Sequence, residues 1–317
     1  MAYILLLVGF ALLIKGADFF VNGSSNIARL LRVPPLLIGL TIVAFGTSSP
    51  EATVSIIAAL EGSSGVAVGN VVGSNIFNIT LVVGMAAFLY PLKVDSETIK
   101  KQIPFTLLAS VALLILMSDV VLQGFGSNVI SRGDGFIFLL FLSIFMYYVI
   151  ETGLKSRKDA EIKPPETDIS WGKNIAVTLL GLAAIIFGGN LVVTNGTEIA
   201  YSLGMSETLV GLTIIAIGTS LPELVTSITA ALKKESEIAL GNIVGSNIFN
   251  ILFVLGASSA ISPLAVSGEV VIDVIFMIIL TVLLLIFSRT GFKIGKREGL
   301  VLAVLYVVYL VYIILRN

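Results

Sequence analysis

The chain has 317 residues, of which 56% are hydrophobic and only 12% are charged, and its mean hydropathy is +1.05. Soluble domains carry roughly 25% charged residues, so this composition excludes a soluble globular protein and indicates a polytopic membrane protein. The net charge of −1 gives no indication of a nucleic-acid partner.

The chain contains no cysteine and no histidine. The first absence excludes disulfides, thiolate metal sites and cysteine nucleophiles. The second removes the commonest ligand of transition metals and the usual general base. Any bound metal ion must therefore be held by oxygen atoms, which favours hard ions such as Na⁺, Ca²⁺ and Mg²⁺.

A helix needs about 20 apolar residues to cross the hydrocarbon core of a membrane. By this measure the sequence predicts an all-α membrane protein with ten transmembrane helices in two sets of five. The predicted spans are 2–21, 36–59, 66–90, 103–123, 134–151, 174–193, 208–232, 238–262, 269–288 and 299–315. The first apolar run has no basic segment before it and no evident cleavage site, so we interpret it as a span rather than a signal peptide.

A polar segment at residues 151–173, which contains Pro164-Pro165, separates the two sets of spans. We therefore predict a first five-helix repeat over 1–151, a linker over 152–173 and a second five-helix repeat over 174–317. Sixteen of the nineteen basic residues fall in loops on the same side as this linker, whereas Arg132 and Arg316 fall on the other. Because basic loops stay in the cytoplasm, the linker should be cytoplasmic and both termini outside.

One long motif occurs twice, 172 positions apart, inside predicted spans. The first copy has Gly-Thr-Ser-Ser-Pro-Glu at 46–51 and Gly-Asn-Val-Val-Gly-Ser-Asn-Ile-Phe-Asn at 69–78. The second has Gly-Thr-Ser-Leu-Pro-Glu at 218–223 and Gly-Asn-Ile-Val-Gly-Ser-Asn-Ile-Phe-Asn at 241–250. With five spans per copy, the second must cross the membrane in the opposite sense, which is typical of the inverted-topology repeats of secondary transporters.

The first block of each copy predicts a cation site. Pro50 and Pro222 each remove a backbone donor, which should fray the helix and free carbonyl oxygens near Gly46 and Gly218. Freed carbonyls survive at membrane depth only where they are buried in protein or line a cavity. A carbonyl, a hydroxyl and a carboxylate form an oxygen cluster suited to Na⁺ or Ca²⁺. The alternative is a proline-kinked helix with a structural carboxylate, but a mid-membrane charge costs at least ~2.5 kcal/mol and occurs here twice.

The second block supplies further polar side chains on adjacent spans. Ser74 and Asn78 are four residues apart and share a helix face, as do Ser246 and Asn250. The asparagines one position after each serine, at 75 and 247, should project elsewhere. The paired glycines of this block form Gly-x-x-x-Gly, which favours close helix packing over a direct role in binding.

Two further features have structural interpretations. Lys15 and Asp18 are three residues apart in the first span, so we expect them to pair with each other. Trp171 and the tyrosines at 147 and 148 should anchor their spans at the membrane interface.

On the doubled motif, the chain resembles the cation/Ca²⁺ exchanger superfamily, most closely its prokaryotic sodium/calcium exchanger (calcium/sodium antiporter) family. The resemblance extends over essentially the whole chain and places the two alpha-repeat cores at 39–83 and 211–255. It implies that Glu51 and Glu223 are the central ion-binding carboxylates. The other implied ligands are oxygens of Ala44, Thr47, Ser48, Ser74, Asn78, Ala216, Thr219, Ser220, Ser246 and Asn250, with the two alanines contributing carbonyls. In the family, the first and sixth spans slide against the rest to alternate access.

One position departs from part of the family, because some archaeal relatives carry Asp where this chain has Asn250. Two carboxylates therefore face the ions instead of three. A pair of ionised Glu balances one Ca²⁺, whereas three Na⁺ would leave a charge of +1, which is compatible with electrogenic exchange.

The resemblance implies a secondary antiporter of the inner membrane that exchanges Na⁺ for Ca²⁺, with these ions and membrane lipid as its only partners and with no cofactor or enzymatic activity. A Ca²⁺/H⁺ exchanger that uses the same two glutamates is the main alternative, and K⁺ co-transport stays open. A passive channel and an intramembrane protease are more remote, since proteases with two buried acids use Asp.

Overall fold

The computed structural model describes residues 1–159, 170–203 and 216–316. Within these ranges the chain is mostly helical. In chain order the helices are α1 (Ala2–Leu31), α2 (Pro35–Thr47), α3 (Ser49–Leu60), α4 (Ser64–Leu89), α5 (Thr98–Leu116), α6 (Asp119–Gln123), α7 (Arg132–Asp159), α8 (Trp171–Ser202), α9 (Ala216–Thr219), α10 (Leu221–Leu232), α11 (Ser236–Ile261), α12 (Gly268–Arg289) and α13 (Lys296–Arg316).

Eight of the described helices are long and apolar enough to cross a membrane, namely α1, α4, α5, α7, α8, α11, α12 and α13. Each corresponds to one predicted span, although several ends differ. Helix α1 continues ten residues beyond the predicted end, because its polar last turns remain helical until Arg32 adopts a left-handed conformation with φ of 57°. Helix α5 instead ends at Leu116, short of the predicted end at residue 123, and the short α6 follows.

The second predicted span consists of two helices, α2 and α3, which meet at an angle of 48°. The break lies at Ser48, whose ψ of 6° departs from helical geometry, and Pro50 in the first turn of α3 has no amide hydrogen to restore the ladder. Helices α9 and α10 meet at Ser220 with the same ψ of 6°. The predicted span 208–232 lies partly outside the described residues, so the count of ten spans stays a prediction.

Two short antiparallel strand pairs join loops from the two halves of the chain. Strand β1 (Leu92–Lys93) pairs with β4 (Lys293–Ile294), and β2 (Asn128–Ile130) pairs with β3 (Leu264–Val266). In the second pair, Val129 lies opposite Ala265. These pairs fasten the loops of one half to those of the other, so the two halves form a single body.

Helices α4 and α11 form the centre of the described fold. In their most apolar windows 78% and 94% of residues are buried, compared with 17–44% for the other long helices. Both central helices carry the second block of the repeated motif, so most of its polar side chains lie in the protein interior, and Asn70 is half-buried.

Helices α1 and α8 pack tightly against each other along one side of this centre. A β-carbon at Gly16 would lie 2.9 Å from the carbonyl oxygen of Gly181, so glycine is required for the two backbones to approach this closely. Helix α7 runs to Asp159 and α8 begins at Trp171, so helix occupies both ends of the predicted linker, and its middle, 160–169, lies outside the described residues.

Candidate functional site

Glu51 and Glu223 lie in the first turns of α3 and α10, and both are completely buried. The helix breaks at Ser48 and Ser220 place the two carboxylates at helix N-termini in the protein interior. The unpaired backbone amides of a helix N-terminus favour negative charge, so the break that bends each span also provides a suitable place for a carboxylate.

The hydroxyl groups next to each break reach across to the carboxylate of the other half. Ser48 Oγ donates to Glu223 Oε1 at 2.9 Å, and Ser220 Oγ donates to Glu51 Oε1 at the same distance. Ser246 Oγ donates to Glu223 Oε1 at 3.3 Å, while Ser74 Oγ lies within hydrogen-bond distance of Ser220 Oγ, at 3.0 Å. The structure therefore brings the predicted carboxylates and serines into one hydrogen-bonded cluster.

Two asparagines that sequence reasoning did not select as site residues hold the broken helices in place. Asn242 Nδ2 donates to the Glu223 carbonyl at 3.5 Å and to Ser227 Oγ at 2.9 Å, and its Oδ1 accepts from Thr47 at 2.9 Å. Asn70 makes the corresponding contacts, with the Glu51 carbonyl (3.2 Å), Ser55 (2.9 Å) and Thr219 (3.3 Å). Their place directly after the first glycine of each second block was the available signal.

Four buried asparagines join α4 and α11 at the centre of the fold. Asn78 Nδ2 donates to Asn247 Oδ1 at 3.2 Å, and Asn250 Nδ2 donates to Asn75 Oδ1 at 3.1 Å. Asn75 Nδ2 donates to the backbone oxygen of Asn247 at 3.3 Å. The expectation that Asn75 and Asn247 project elsewhere is therefore wrong. They face the opposite half of the chain, because α4 and α11 contact each other at this level.

Four buried oxygens of this cluster have no hydrogen-bond partner among the described residues. They are Glu51 Oε2, Glu223 Oε2, Asn78 Oδ1 and Asn250 Oδ1. A buried polar atom without a partner costs free energy, so a set of four requires an explanation. All four are acceptors, and they come in two pairs with the repeat spacing of 172 positions. Oxygen acceptors of this kind are the ligands that Na⁺ and Ca²⁺ require.

The two alanines of the implied ligand set begin the short helical turns before the breaks. The Ala44 carbonyl accepts from the amide of Ser48 at 2.9 Å, so it is not freed by Pro50 in this structure, and Thr47 Oγ1 lies 3.3 Å from it. Ala216 is the first residue of α9.

A cavity of about 210 Å³ reaches the cluster from the side at Ser48. Ser49 and Thr53 of α3 line it together with the aromatic rings of Phe45 and Phe253. Phe45 is about half exposed, so this ring lies between the cavity and the outside of the protein.

Polar side chains in the C-terminal half of α1 contact the turn between α10 and α11 through an ion pair and hydrogen bonds. Lys233 Nζ lies 2.6 Å from Asp18 Oδ1 and also donates to Asn22 Oδ1 at 2.6 Å. Glu235 Oε1 accepts from Ser25 Oγ at 2.9 Å and lies 3.5 Å from Arg29. The predicted pairing of Asp18 with Lys15 is therefore wrong, because Lys233, distant in sequence, lies closer. A cavity of about 350 Å³ lies among these residues.

Membrane-crossing helices around a buried pair of carboxylates, with acceptor oxygens left over, define a multi-pass ion transporter. The model of the family described as sodium/calcium exchanger protein matches residues 1–151 and 173–315. The chain therefore belongs to the sodium/calcium exchanger family, whose members are transporters and not enzymes.

Relatives and a solved structure agree with this assignment. The chain is 42% identical to the putative antiporter CaxA of Alkalimonas amylolytica, over 97% of each chain. It is 39% identical to the inner membrane protein YrbG of Escherichia coli (83% of this chain, 81% of the relative), and 34% identical to the sodium/calcium exchanger MaX1 of Methanosarcina acetivorans (98% and 97%). It superposes on the sodium-calcium exchanger NCX_Mj, soaked with 10 mM Na⁺ and zero Ca²⁺, with a TM-score of 0.84 and 32% identity over 97% of each chain.

Proposed function

We propose that the protein is an antiporter that exchanges Na⁺ for Ca²⁺ across the inner membrane by alternating access. The observation that carries the proposal is a set of four buried acceptor oxygens, on Glu51, Glu223, Asn78 and Asn250, that have no hydrogen-bond partner among the described residues. A cation is the partner that such a set lacks. Family membership and the name of the relative from Methanosarcina acetivorans support Na⁺ and Ca²⁺ as the ions.

The ligand set consists of the two carboxylates with surrounding hydroxyl, amide and carbonyl oxygens. It comprises Glu51, Glu223, Thr47, Thr219, Ser48, Ser220, Ser74, Ser246, Asn78, Asn250 and the carbonyls of Ala44 and Ala216. The Ala44 carbonyl already accepts the amide of Ser48, so coordination by it uses its second lone pair or requires a local shift of the helix end.

Charge explains why the two ions exclude each other from this site. Two ionised glutamates balance one Ca²⁺ and can instead be balanced by Na⁺, but low-dielectric surroundings oppose a large excess of positive charge. Ca²⁺ and Na⁺ therefore bind in turn, and the gradient of Na⁺ drives extrusion of Ca²⁺. Exchange of three Na⁺ for one Ca²⁺ would move net charge.

We infer ten spans arranged as two inverted repeats, with the repeats over 1–151 and 174–317 and the segment 152–173 between them. The support is that contacts between the two halves of the chain recur with a spacing of 172 positions. The contact of Ser48 with Glu223 is matched by that of Ser220 with Glu51, and the contact of Asn78 with Asn247 by that of Asn250 with Asn75. The excess of basic residues in one set of loops supports a cytoplasmic linker with both termini outside.

The test is uptake of radiolabelled Ca²⁺ by proteoliposomes that contain the purified full-length protein. Vesicles loaded with Na⁺ are compared with K⁺-loaded vesicles and with vesicles that carry a pH gradient. Uptake that requires the outward Na⁺ gradient supports the proposal. Uptake that follows the proton gradient would assign a Ca²⁺/H⁺ exchanger instead, and uptake without any counter-ion gradient would assign a channel.

A further inference from the structure

The buried asparagines of the site fall into two kinds. Within the part of the chain that the structure describes, Oδ1 of Asn78 and Oδ1 of Asn250 have no partner, whereas the Oδ1 atoms of Asn247 and Asn75 are occupied as acceptors. The first kind has an oxygen available for an ion. The second kind uses its oxygen to hold the nitrogen of the first.

Holding the nitrogen matters because the two ends of an asparagine amide have opposite character. The oxygen of Asn78 or Asn250 attracts a cation, whereas the NH₂ group donates and would repel it. The Cβ–Cγ torsion of a free asparagine is broad, so without a fixed partner the amide could turn its nitrogen toward the ions. An acceptor on the far side of the amide removes this freedom.

We propose that Asn247 and Asn75 are positioning residues, each of which orients the ion-binding amide of the opposite half: Asn247 orients Asn78, and Asn75 orients Asn250. This inference rests on the proposed function, since it needs a cation to be bound at Asn78 and Asn250. Each of these two hydrogen bonds joins one half of the chain to the other, so each ligand amide depends on a residue of the other half. We call this arrangement the crossed wiring.

The crossed wiring gives a reason for both asparagines in each Ser-Asn-x-x-Asn block. The last asparagine of each block contributes the ligand oxygen, and the asparagine directly after the serine orients the ligand of the other block. Asn75 Nδ2 is itself held by the backbone oxygen of Asn247 at 3.3 Å, so the acceptor for Asn250 is fixed in turn.

A double-mutant cycle tests this wiring in proteoliposomes through the apparent KM for Ca²⁺ of Na⁺-driven uptake. Asn247→Leu keeps the approximate volume but removes the acceptor. Loss of an outer partner of a ligand typically weakens metal binding about 10- to 100-fold. We therefore expect Asn247→Leu to raise the KM about tenfold or more. In an Asn78→Ala background it should add less than about twofold, because the residue through which it acts is already gone.

The matched control combines Asn247→Leu with Asn250→Ala. These two changes affect different hydrogen-bonded pairs, Asn78–Asn247 and Asn250–Asn75, so their effects on the KM should multiply. Multiplying effects in the Asn78→Ala background as well would overturn the inference and assign Asn247 a packing role only. If the effects on the KM multiply with Asn78→Ala but not with Asn250→Ala, Asn247 orients the ligand of its own half, and the proposed pairing between the halves is wrong.

The mirror cycle, Asn75→Leu with Asn78→Ala and with Asn250→Ala, carries the same test should the Asn247→Leu protein fail to fold. There the epistasis should appear with Asn250→Ala. The wild-type protein separates the two proposals: absence of Na⁺-driven uptake by wild type overturns the proposed function, whereas wild-type uptake with multiplying effects in both cycles overturns only the wiring.

Discussion

The hydroxyl of Ser48 donates a hydrogen bond of 2.9 Å to Oε1 of Glu223, a residue 175 positions further along the chain. Ser48 is also the residue at which the second predicted span bends. One residue therefore ends a helix in the first half and holds a carboxylate of the second half. Movement of α2 relative to α3 would alter this contact, which links the shape of the bent span to the state of the site.

Replacement of Ser48 by alanine should weaken Ca²⁺ binding without abolishing transport. Hydrogen bonds to charged groups contribute about 1.5–3 kcal/mol, so the apparent KM for Ca²⁺ should rise about tenfold or more. Ser49→Ala is the matched control, because the Ser49 hydroxyl donates only to the Phe45 carbonyl one turn back. Uptake by Ser48→Ala with the same KM as Ser49→Ala would show that the contact with Glu223 does not support binding.

Lys233→Gln should weaken the contact between α1 and the turn after α10, since it removes the ion pair with Asp18. We call this contact the closure. The corresponding positions in the repeat are Asn190 and Glu61, and no ion pair between described residues joins them, so this closure belongs to one end of the molecule. Because the chain has no cysteine, Val21→Cys introduces a unique reporter in the cavity beside Lys233.

We expect maleimide to label Val21→Cys about two- to fivefold faster when Lys233→Gln is added, as ion pairs near the surface contribute about 0.2–1 kcal/mol. Lys234→Gln is the matched control, because it removes the neighbouring positive charge and leaves the Asp18 pair in place. Equal labelling rates in the two variants would show that Lys233 does not hold this end closed.

Gly245→Ala should destabilise the protein because α11 approaches α2 closely at this position. A β-carbon there would lie 2.7 Å from the Cβ of Ala44 and 2.8 Å from the carbonyl oxygen of Leu40. Overpacking of this kind typically costs about 1–3 kcal/mol. The Tm in detergent should fall by several degrees.

Gly133→Ala is the control, since a β-carbon at that exposed helical position would come no closer than 3.5 Å to a described side chain. Alanine is the better helix former, so the control should leave the Tm unchanged or raise it slightly. A Tm for Gly245→Ala at or above that of the control would mean that the helices separate at no cost.

The carboxylates and hydroxyls of the site were predictable because a charge or proline inside an apolar span is costly and conspicuous. Glu51 and Glu223 could therefore be selected from the sequence, and the structure places both in one buried cluster. The hydrogen bonds of Asn75 and Asn247 could not be predicted from the sequence, because helical periodicity relates positions within one helix, whereas their partners lie on another.

The same limit applies to the fold. Hydropathy located the apolar centres of the spans but not their ends, since the last turns of α1 are polar and still helical. The two strand pairs join segments of two or three residues from distant loops, and no local pattern in such short segments indicates pairing. The ion pair of Asp18 with Lys233 was missed for the same reason, since a pairing based on local spacing favoured Lys15.

In the proposed antiporter, Na⁺ and Ca²⁺ compete for one site that contains Glu51 and Glu223. Titration calorimetry of Ca²⁺ binding to the purified protein at increasing Na⁺ tests it most directly, with the Glu51→Gln and Glu223→Gln variants measured alongside. We expect Na⁺ to displace Ca²⁺ steeply, with more than one Na⁺ per Ca²⁺, and each variant to lose most of the Ca²⁺ affinity. Ca²⁺ binding that is unaffected by Na⁺, or that survives unchanged in both variants, would contradict it.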